Sequence, residues 1–254
     1  MQVEGAIALV TGGASGLGSE TAQVLSEQGA RVAVLDLPSD RLTAQAARLG
    51  GLAVSADVTD QAAVEMALNE VVRHFGAAPR IAVNCAGIGP AARIVGREGK
   101  LSVELFRKVI EVNLVGTYIV TSYAARAMQA LNPMEGGERG VIINTASVAW
   151  SDGQLGQAAY AASKGGVASM ALPAAREFAK TGIRVMTIAP GLFRTPMMEG
   201  LPEDTVAGIA ANIPFPARLG DPQEYGKLVQ QIVENPYLNG TTIRLDGAVR
   251  MPPR

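Results

Sequence analysis

Tyr160 and Lys164 stand four residues apart in a stretch, Gln157 to Lys180, that is rich in alanine and free of proline until Pro173. If that stretch is helical, the two side chains lie on one face, about 6 Å apart along the axis. An ammonium held that near favours phenolate over phenol, so a tyrosine with an ordinary pKa of about 10 is expected to be pulled toward neutrality. A phenol tuned in this way takes a proton from an alcohol, or gives one to a carbonyl, near working pH. Ser147 ends the apolar run VIINTAS and carries a hydroxyl able to bond the same substrate oxygen. Together these residue types fit the movement of a hydride to or from a carbon that bears oxygen, a reaction whose electrons come from a cofactor. A surface helix with an incidental Tyr and Lys has the same spacing, so the surrounding chain must decide between the two.

That chain alternates short β-branched runs with longer helical patterns. AIALVT leads to a helix from about Gly16 to Gln28, RVAVLD to a helix across the forties, and LAVSADV to a helix over Asp60 to Phe75. IAVNCAG is followed by a long helix from about Ser102 to Leu131, VIINTAS by the Tyr160 helix, and IRVMTIAP by two short helical stretches and a last strand, TTIRLD. The apolar runs are too continuous for a sheet with one wet face, so parallel strands covered on both sides are expected. The prediction is one doubly wound α/β domain over residues 1–254, with a seven-stranded parallel sheet. The segment from Leu192 to Gly220, with prolines at 196, 202, 214 and 216, reads as a lid. Its apolar members are Leu192, Phe193, Met197, Met198, Leu201, Ile209 and Phe215.

The first strand-to-helix turn, Thr11-Gly12-Gly13-Ala14-Ser15-Gly16-Leu17-Gly18, is the nucleotide signal. Glycines there let the backbone approach a pyrophosphate, and the helix N-terminus presents unpaired N–H groups and a positive dipole end. The spacing is T-G-x-x-x-G-x-G and departs from the commoner G-x-G-x-x-G. Asp36 ends the second strand about twenty residues on, where a carboxylate accepts both ribose hydroxyls of an adenosine and repels a 2′-phosphate. Neither Ser15 nor Leu37 nearby is basic, which favours NAD over NADP. Asp57 is placed to reach the adenine amino group. Asn84-Cys85-Ala86-Gly87 ends the fourth strand with small residues that let a cofactor lie across the strand ends. Cys85 reads as a small buried hydrophobe without a partner base. Asn113 interrupts the apolar face of the long helix, so it needs either a buried partner or a function. Pro190-Gly191 follows a strand, and Thr195 comes close enough behind it to bond the nicotinamide carboxamide.

Composition narrows the function classes. The net charge of −1 provides no field to gather nucleic acid or an anionic membrane. One cysteine and one histidine rule out a disulfide framework and make a transition-metal site improbable, so no metal is expected. The lone cysteine fits a reducing compartment. No apolar stretch reaches the length of a membrane span, and a strand-like run starts within five residues, which leaves no room for a signal peptide. A cytoplasmic protein is expected.

T-G-x-x-x-G-x-G at 11–18, N-C-A-G at 84–87, Asn113, Ser147, Tyr160-x-x-x-Lys164 and Pro190-Gly191 stand in the order found in the short-chain dehydrogenase/reductases, and the chain resembles that family over essentially its whole length. Within it, GVIINTASVAW, GQLGQAAYAASKGG, GIRVMTIAPGLFRTP, PFPARLGDP and ENPYLNGTTIRLDGAVRMPP are similar to the type II 3-hydroxyacyl-CoA dehydrogenases. Additional residues between Gly89 and Leu101 fit that subgroup, while Cys85 stands where many relatives have asparagine.

The resemblance implies a Rossmann-type fold, NAD as cofactor, and Tyr160 as general acid/base. Lys164 then lowers the tyrosine pKa and binds the nicotinamide ribose, Ser147 orients the substrate oxygen, and Asn113 holds a relay water. Cofactor contacts are expected from Gly12, Ser15, Gly16, Leu17 and Gly18, from Asp36, Asp57 and Val58, from Asn84, Ala86 and Gly87, and from Pro190, Gly191, Phe193 and Thr195. Gln154, Gln157, Leu192 and Leu201 are the expected substrate contacts. The implied reaction is NAD-dependent interconversion of a 3-hydroxyacyl-CoA and its 3-oxo form, in a homotetramer that pairs the Asn113 and Tyr160 helices. Alternatives are a hydroxysteroid or other bulky secondary alcohol as substrate, or a non-catalytic nucleotide-binding scaffold subunit.

Overall fold

The computed structural model describes residues 1–196, 208 and 210–253. Seven strands form one parallel sheet in the order β3-β2-β1-β4-β5-β6-β7. They are β1 (Ile7–Thr11), β2 (Arg31–Asp36), β3 (Leu52–Ser55), β4 (Ile81–Asn84), β5 (Gly140–Thr145), β6 (Ile183–Pro190) and β7 (Thr242–Leu245). Between them lie α1 (Gly16–Glu27), α2 (Asp40–Leu49), α3 (Gln61–Phe75), α4 (Val103–Ile110), α5 (Gly116–Gln129), α6 (Ala158–Phe178) and α7 (Pro222–Glu234).

Alternation along each strand splits the core into two layers. Ala8 and Val10 of β1, Val32 and Val34 of β2, and Val141 and Ile143 of β5 pack against Ala22 and Leu25 of α1 and Tyr225 and Val229 of α7. Ile7 and Leu9 of β1, with Ala33 and Leu35 of β2, face α3 and α5 on the other side. With both pleat faces dry, the strands can be apolar throughout, as the continuous runs predict. Strand order reverses between β1 and β4, and the carboxyl ends of those two strands open the crevice where ligands bind in such sheets.

The long helix expected over Ser102 to Leu131 is continuous but not uniform. Glu111–Val115 form a π turn between α4 and α5, and Asn113 lies inside it. Single π turns inserted in α-helices gather at functional sites. The Tyr160 helix accommodates Pro173 in its interior and closes in a 3₁₀ turn at Ala179–Thr181. Of the expected lid, Leu201 and the neighbouring Met197, Met198 and Ile209 lie outside the described residues.

Candidate active site

The glycine-rich turn is built by close approach. Gly12 has φ +63, and a Cβ there would stand 2.6 Å from the backbone nitrogen of Ala86. A Cβ on Gly18 would stand 2.3 Å from the carbonyl oxygen of Gly12. No larger residue fits at either place without moving backbone, so the turn, the start of α1 and the end of β4 are locked together. Thr11 Oγ1 adds to this by accepting a hydrogen bond from Ala86 N at 3.3 Å.

The N-terminus of α1 has no side-chain cap, although Ser15 occupies the N-cap position, and its first turn holds no acidic residue. By contrast Ser39, Asp60 and Asp221 cap α2, α3 and α7 with their side chains. Uncapped N–H groups at a helix N-terminus beside a glycine turn are the donors that a pyrophosphate needs. The residues present therefore fit a dinucleotide.

At the end of β2, Asp36 Oδ2 accepts from Ala14 N at 3.0 Å and Oδ1 from Leu37 N at 2.8 Å. Each oxygen keeps a lone pair for a ribose hydroxyl. Asp57 is exposed, with Oδ1 accepting from the backbone and hydroxyl of Thr59. Val58 is buried against the backbone of Gly116, where α5 begins. Thr195 folds back over the turn: a Cβ on Gly16 would lie 3.7 Å from its side chain.

Three residues expected to touch ligand turn their side chains elsewhere. Asn84 Nδ2 donates to Asn144 Oδ1 at 2.8 Å inside the sheet layer, while its own Oδ1 is buried without a protein donor. Phe193 is buried against Gly220 and meets the Tyr225 ring edge-on at 6.5 Å. Gln154 Nε2 donates to the carbonyl of Pro252 at 3.0 Å, which commits that amide to the carboxy-terminal segment. Gln157 Oε1, like Asn84 Oδ1, is buried and has no protein donor. A buried acceptor left without a donor is costly unless a ligand or water supplies one. Leu192 joins an apolar cluster with Ile213, Leu219 and Val249.

The catalytic candidates converge at the end of β5. Ser147 heads a 3₁₀ turn, and its Oγ accepts from Ala149 N at 3.2 Å. One lone pair of that hydroxyl is thus engaged, and its proton is left to donate toward Tyr160 or a substrate oxygen. Tyr160 lies in the first turn of α6. Lys164, one turn on and buried, donates from Nζ to the carbonyl of Thr145 at 2.8 Å. Its nitrogen is 5.8 Å from the centre of the Tyr160 ring. Asn113 Oδ1 accepts from Ile88 N at 2.8 Å, and Nδ2 donates to Ile88 O at 2.9 Å and to Ser163 Oγ at 3.1 Å. Both amide protons are used, and one Oδ1 lone pair remains. Gly87 lies between these groups, since a Cβ there would be 3.1 Å from Asn113 Oδ1 and 3.5 Å from Lys164 Nζ.

The expected electrostatics need a correction. Burial pushes the Tyr160 phenol above its ordinary value, and the hydroxyl of Ser147 works in the other direction. Burial also pulls Lys164 down to about 8, with Cys85 acting against it. The four-residue spacing did place both groups on one face of α6. The surrounding elements bury Lys164 and half-bury Tyr160, and the ammonium turned to a carbonyl instead of the phenol. In the protein alone both groups resist charge. Cys85 fits its expected role, because burial raises its thiol pKa and keeps it from being a thiolate nucleophile.

The Lys164 shift makes a stability prediction. Below pH about 8 the folded and unfolded chains both hold this proton, whereas between about 8 and the ordinary lysine value of about 10.4 the unfolded chain holds more of it. Stability should therefore rise with pH across that window. Urea unfolding at pH 7, 8, 9 and 10 should show wild type gaining on Lys164→Met as pH increases. A constant difference would mean that Lys164 titrates as an ordinary lysine.

Sequence reasoning missed the Thr145 carbonyl that holds Lys164 and the Ser163 hydroxyl that holds Asn113. Ser163 adjoins Lys164 in sequence, but no spacing rule links either residue to position 113. It also missed Arg244, which pairs with Asp152 in the loop between Ser147 and Tyr160.

Residues 6–206 match the short chain dehydrogenase family. The chain is 53% identical to 3-hydroxyacyl-CoA dehydrogenase type-2 of Homo sapiens, over 99% of this chain and 97% of that protein. It is 52% identical to the protein of the same description from Bos taurus, again over 99% of this chain and 97% of the other. The crystal structure of 3-hydroxyacyl-CoA dehydrogenase type-2 from Mycobacterium avium superposes with a TM-score of 0.92 at 42% identity, covering 98% of each chain.

Proposed function

From the premise that this chain belongs to the short-chain dehydrogenases and is an oxidoreductase using a nicotinamide cofactor, we propose that it interconverts 3-hydroxyacyl-CoA and 3-oxoacyl-CoA with NAD. The observation that carries this reading is the convergence of Ser147, Tyr160 and Lys164 beside the uncapped turn of α1 in a chain 53% identical to a protein so described. In oxidation, Tyr160 Oη takes the proton of the substrate hydroxyl while Ser147 donates to the same oxygen. The bound nicotinamide supplies the hydride acceptor. Lys164, held by Thr145, keeps a positive charge near the phenol and bonds the nicotinamide ribose. A water between Lys164 Nζ and the free lone pair of Asn113 Oδ1 passes the proton outward. Gln157 Oε1 is open to accept from an amide N–H on the CoA side of the thioester, with Leu192 against the apolar part of the substrate.

The cofactor preference rests on Asp36. Asp36→Ala should weaken NAD binding at least ten-fold and leave NADP binding much less changed, since hydrogen bonds to a carboxylate are worth about 1.5–3 kcal/mol each. Fluorescence titration with both reduced cofactors measures this, and an unaltered preference would place the ribose elsewhere.

For the CoA end, Arg93, Arg97 and Lys100 are exposed on the insertion, beside an apolar cavity of about 310 Å³ lined in part by Ala92, Ile94, Leu101 and Phe106. Arg97→Ala should raise KM for a CoA thioester and leave a CoA-free alcohol unaffected. Equal changes on both would remove the contact. A homotetramer that pairs α4, α5 and α6 with their copies, in a reducing cytoplasm suited to the single thiol, completes the proposal. Loss of absorbance at the NADH band with acetoacetyl-CoA is the direct test. A protein that binds NADH but consumes none with any carbonyl offered is a scaffold instead.

A further inference from the structure

The loop of residues 151–157 joins Ser147 to Tyr160, and its anchor comes from the other end of the chain. Arg244 of β7 donates from Nη1 to Ser151 Oγ at 2.7 Å and to Asp152 Oδ1 at 3.1 Å, and from Nη2 to Asp152 Oδ2 at 2.7 Å. The same guanidinium is aimed by its own strand end, through Nε to Asp246 Oδ2 at 2.7 Å and Nη2 to Val249 O at 3.1 Å. Two further links follow along the carboxy-terminal segment. Gln154 Nε2 donates to Pro252 O at 3.0 Å, and Leu155 N to Pro253 O at 3.1 Å. The pair is two-pronged and largely shielded, with side-chain exposures of 23% for Arg244 and 10% for Asp152. Planar, bidentate pairing fixes direction as well as distance, which a lysine could not do. Arg244 also holds the Asp152 carboxyl down to about 2, so the pair stays formed at any pH used for assay.

The anchored loop is rigidly continued on both sides. Ser151 N and Asp152 N donate to Val148 O at 3.1 and 2.9 Å, closing the turn that Ser147 heads. Gln157 N donates to Gln154 O at 3.1 Å, and Ala161 N to Gln157 O at 2.7 Å, which carries the loop into the first turn of α6. A displacement at Asp152 is therefore conveyed to the Ser147 hydroxyl, five residues earlier, through the turn closed on Val148 O, without Arg244 touching either reacting group.

We propose that Arg244, together with the carboxy-terminal segment 249–253, is a clamp on the 151–157 loop that sets where Ser147 stands relative to Tyr160, which makes Arg244 a positioning residue for the reaction. This rests on the oxidoreductase reading above for its kinetic consequence, and on the contacts alone for the clamp itself. Burial of Gln157 Oε1 fits the same device, because an acceptor left open for substrate has to be held by its neighbours.

Asp152→Asn is the gentler test, as it frees the loop while Arg244 keeps Asp246 and Val249; Arg244→Ala is the stronger one. In both variants, hydrogen exchange at the Leu155 amide should quicken at least ten-fold, kcat with acetoacetyl-CoA should fall ten-fold or more, and the NADH Kd should stay within two-fold. In a Ser147→Ala background, the same Asp152→Asn change should cost less than three-fold in kcat, because the hydroxyl that the clamp places is already gone. A kcat that does not change, or a full ten-fold loss repeated without Ser147, overturns the positioning role. If wild type reduces no carbonyl, the oxidoreductase reading fails on its own, and the clamp is judged by exchange: an unchanged Leu155 amide overturns it.

Discussion

Replacing Tyr160 with phenylalanine should leave NADH affinity within about two-fold of wild type and lower turnover by roughly three orders of magnitude or more. The ring packs as before, so the loss isolates the hydroxyl. General acid–base catalysis by a positioned side chain contributes about 10²- to 10⁴-fold, and no other titratable phenol lies in the turn that Ser147 faces. Tyr225, a fully buried tyrosine near β5, has its hydroxyl 2.7 Å from Thr145 Oγ1 on the opposite side of the sheet. Because burial holds the Tyr160 phenol above its ordinary value in the protein alone, its readiness to lose a proton must depend on what is bound beside it. Charge on the oxidised nicotinamide and on Lys164 acts in that direction. Stopped-flow turnover with matched cofactor titrations measures the effect. Rates close to wild type would remove Tyr160 from proton transfer and leave the Ser147 hydroxyl to be explained.

Gly18→Ala should abolish useful cofactor binding, with NADH affinity at least 100-fold weaker in a protein that still melts cooperatively. One methyl group is enough, because it would sit 2.3 Å from the Gly12 carbonyl oxygen. That oxygen belongs to backbone, and backbone is pinned there by the approach of Gly12 to Ala86. The turn must open to admit the methyl, and the N–H groups at the start of α1 then no longer converge on one anion. Ligand stabilisation offers a second readout, since a protein that no longer binds NADH gains no thermal stability from it. A normal NADH-induced shift in Tm would show that the pyrophosphate is held elsewhere.

The Tyr160 and Gly18 predictions differ in how they could be reached. Gly18 was visible in the sequence as part of a glycine turn between a strand and a helix, because a backbone approach leaves its mark in residue type. The order of strands and helices was legible for a similar reason: when both faces of the central strands are buried, their runs are apolar almost throughout, as Val141–Ile143 and Val32–Leu35 show. Tyr160 and Lys164 were legible as a pair, since helical periodicity alone puts residues four apart on one face.

Their protonation was not legible. Proximity within a helix predicted a lowered phenol, whereas burial raised it, and burial is the sum of what every element around α6 excludes from water. Gln154 and Gln157 look alike in sequence, three residues apart in one loop. One is spent on Pro252 and the other left with an unpaired oxygen, a distinction made by chain that returns ninety-odd residues later. Asn113 was marked as a polar residue on an apolar face, but only the π turn and the arrival of Ile88 and Ser163 reveal which of its atoms is free.

What the sequence determined by itself was therefore whatever depends on near neighbours along the chain: helix and strand order, the glycine turn, and the chemical types held ready at 147, 160 and 164. The tertiary structure decided which atoms are dry, which are already bonded, and which loop Arg244 holds. Those properties arise where distant segments meet, and local periodicity carries no record of the distance between them.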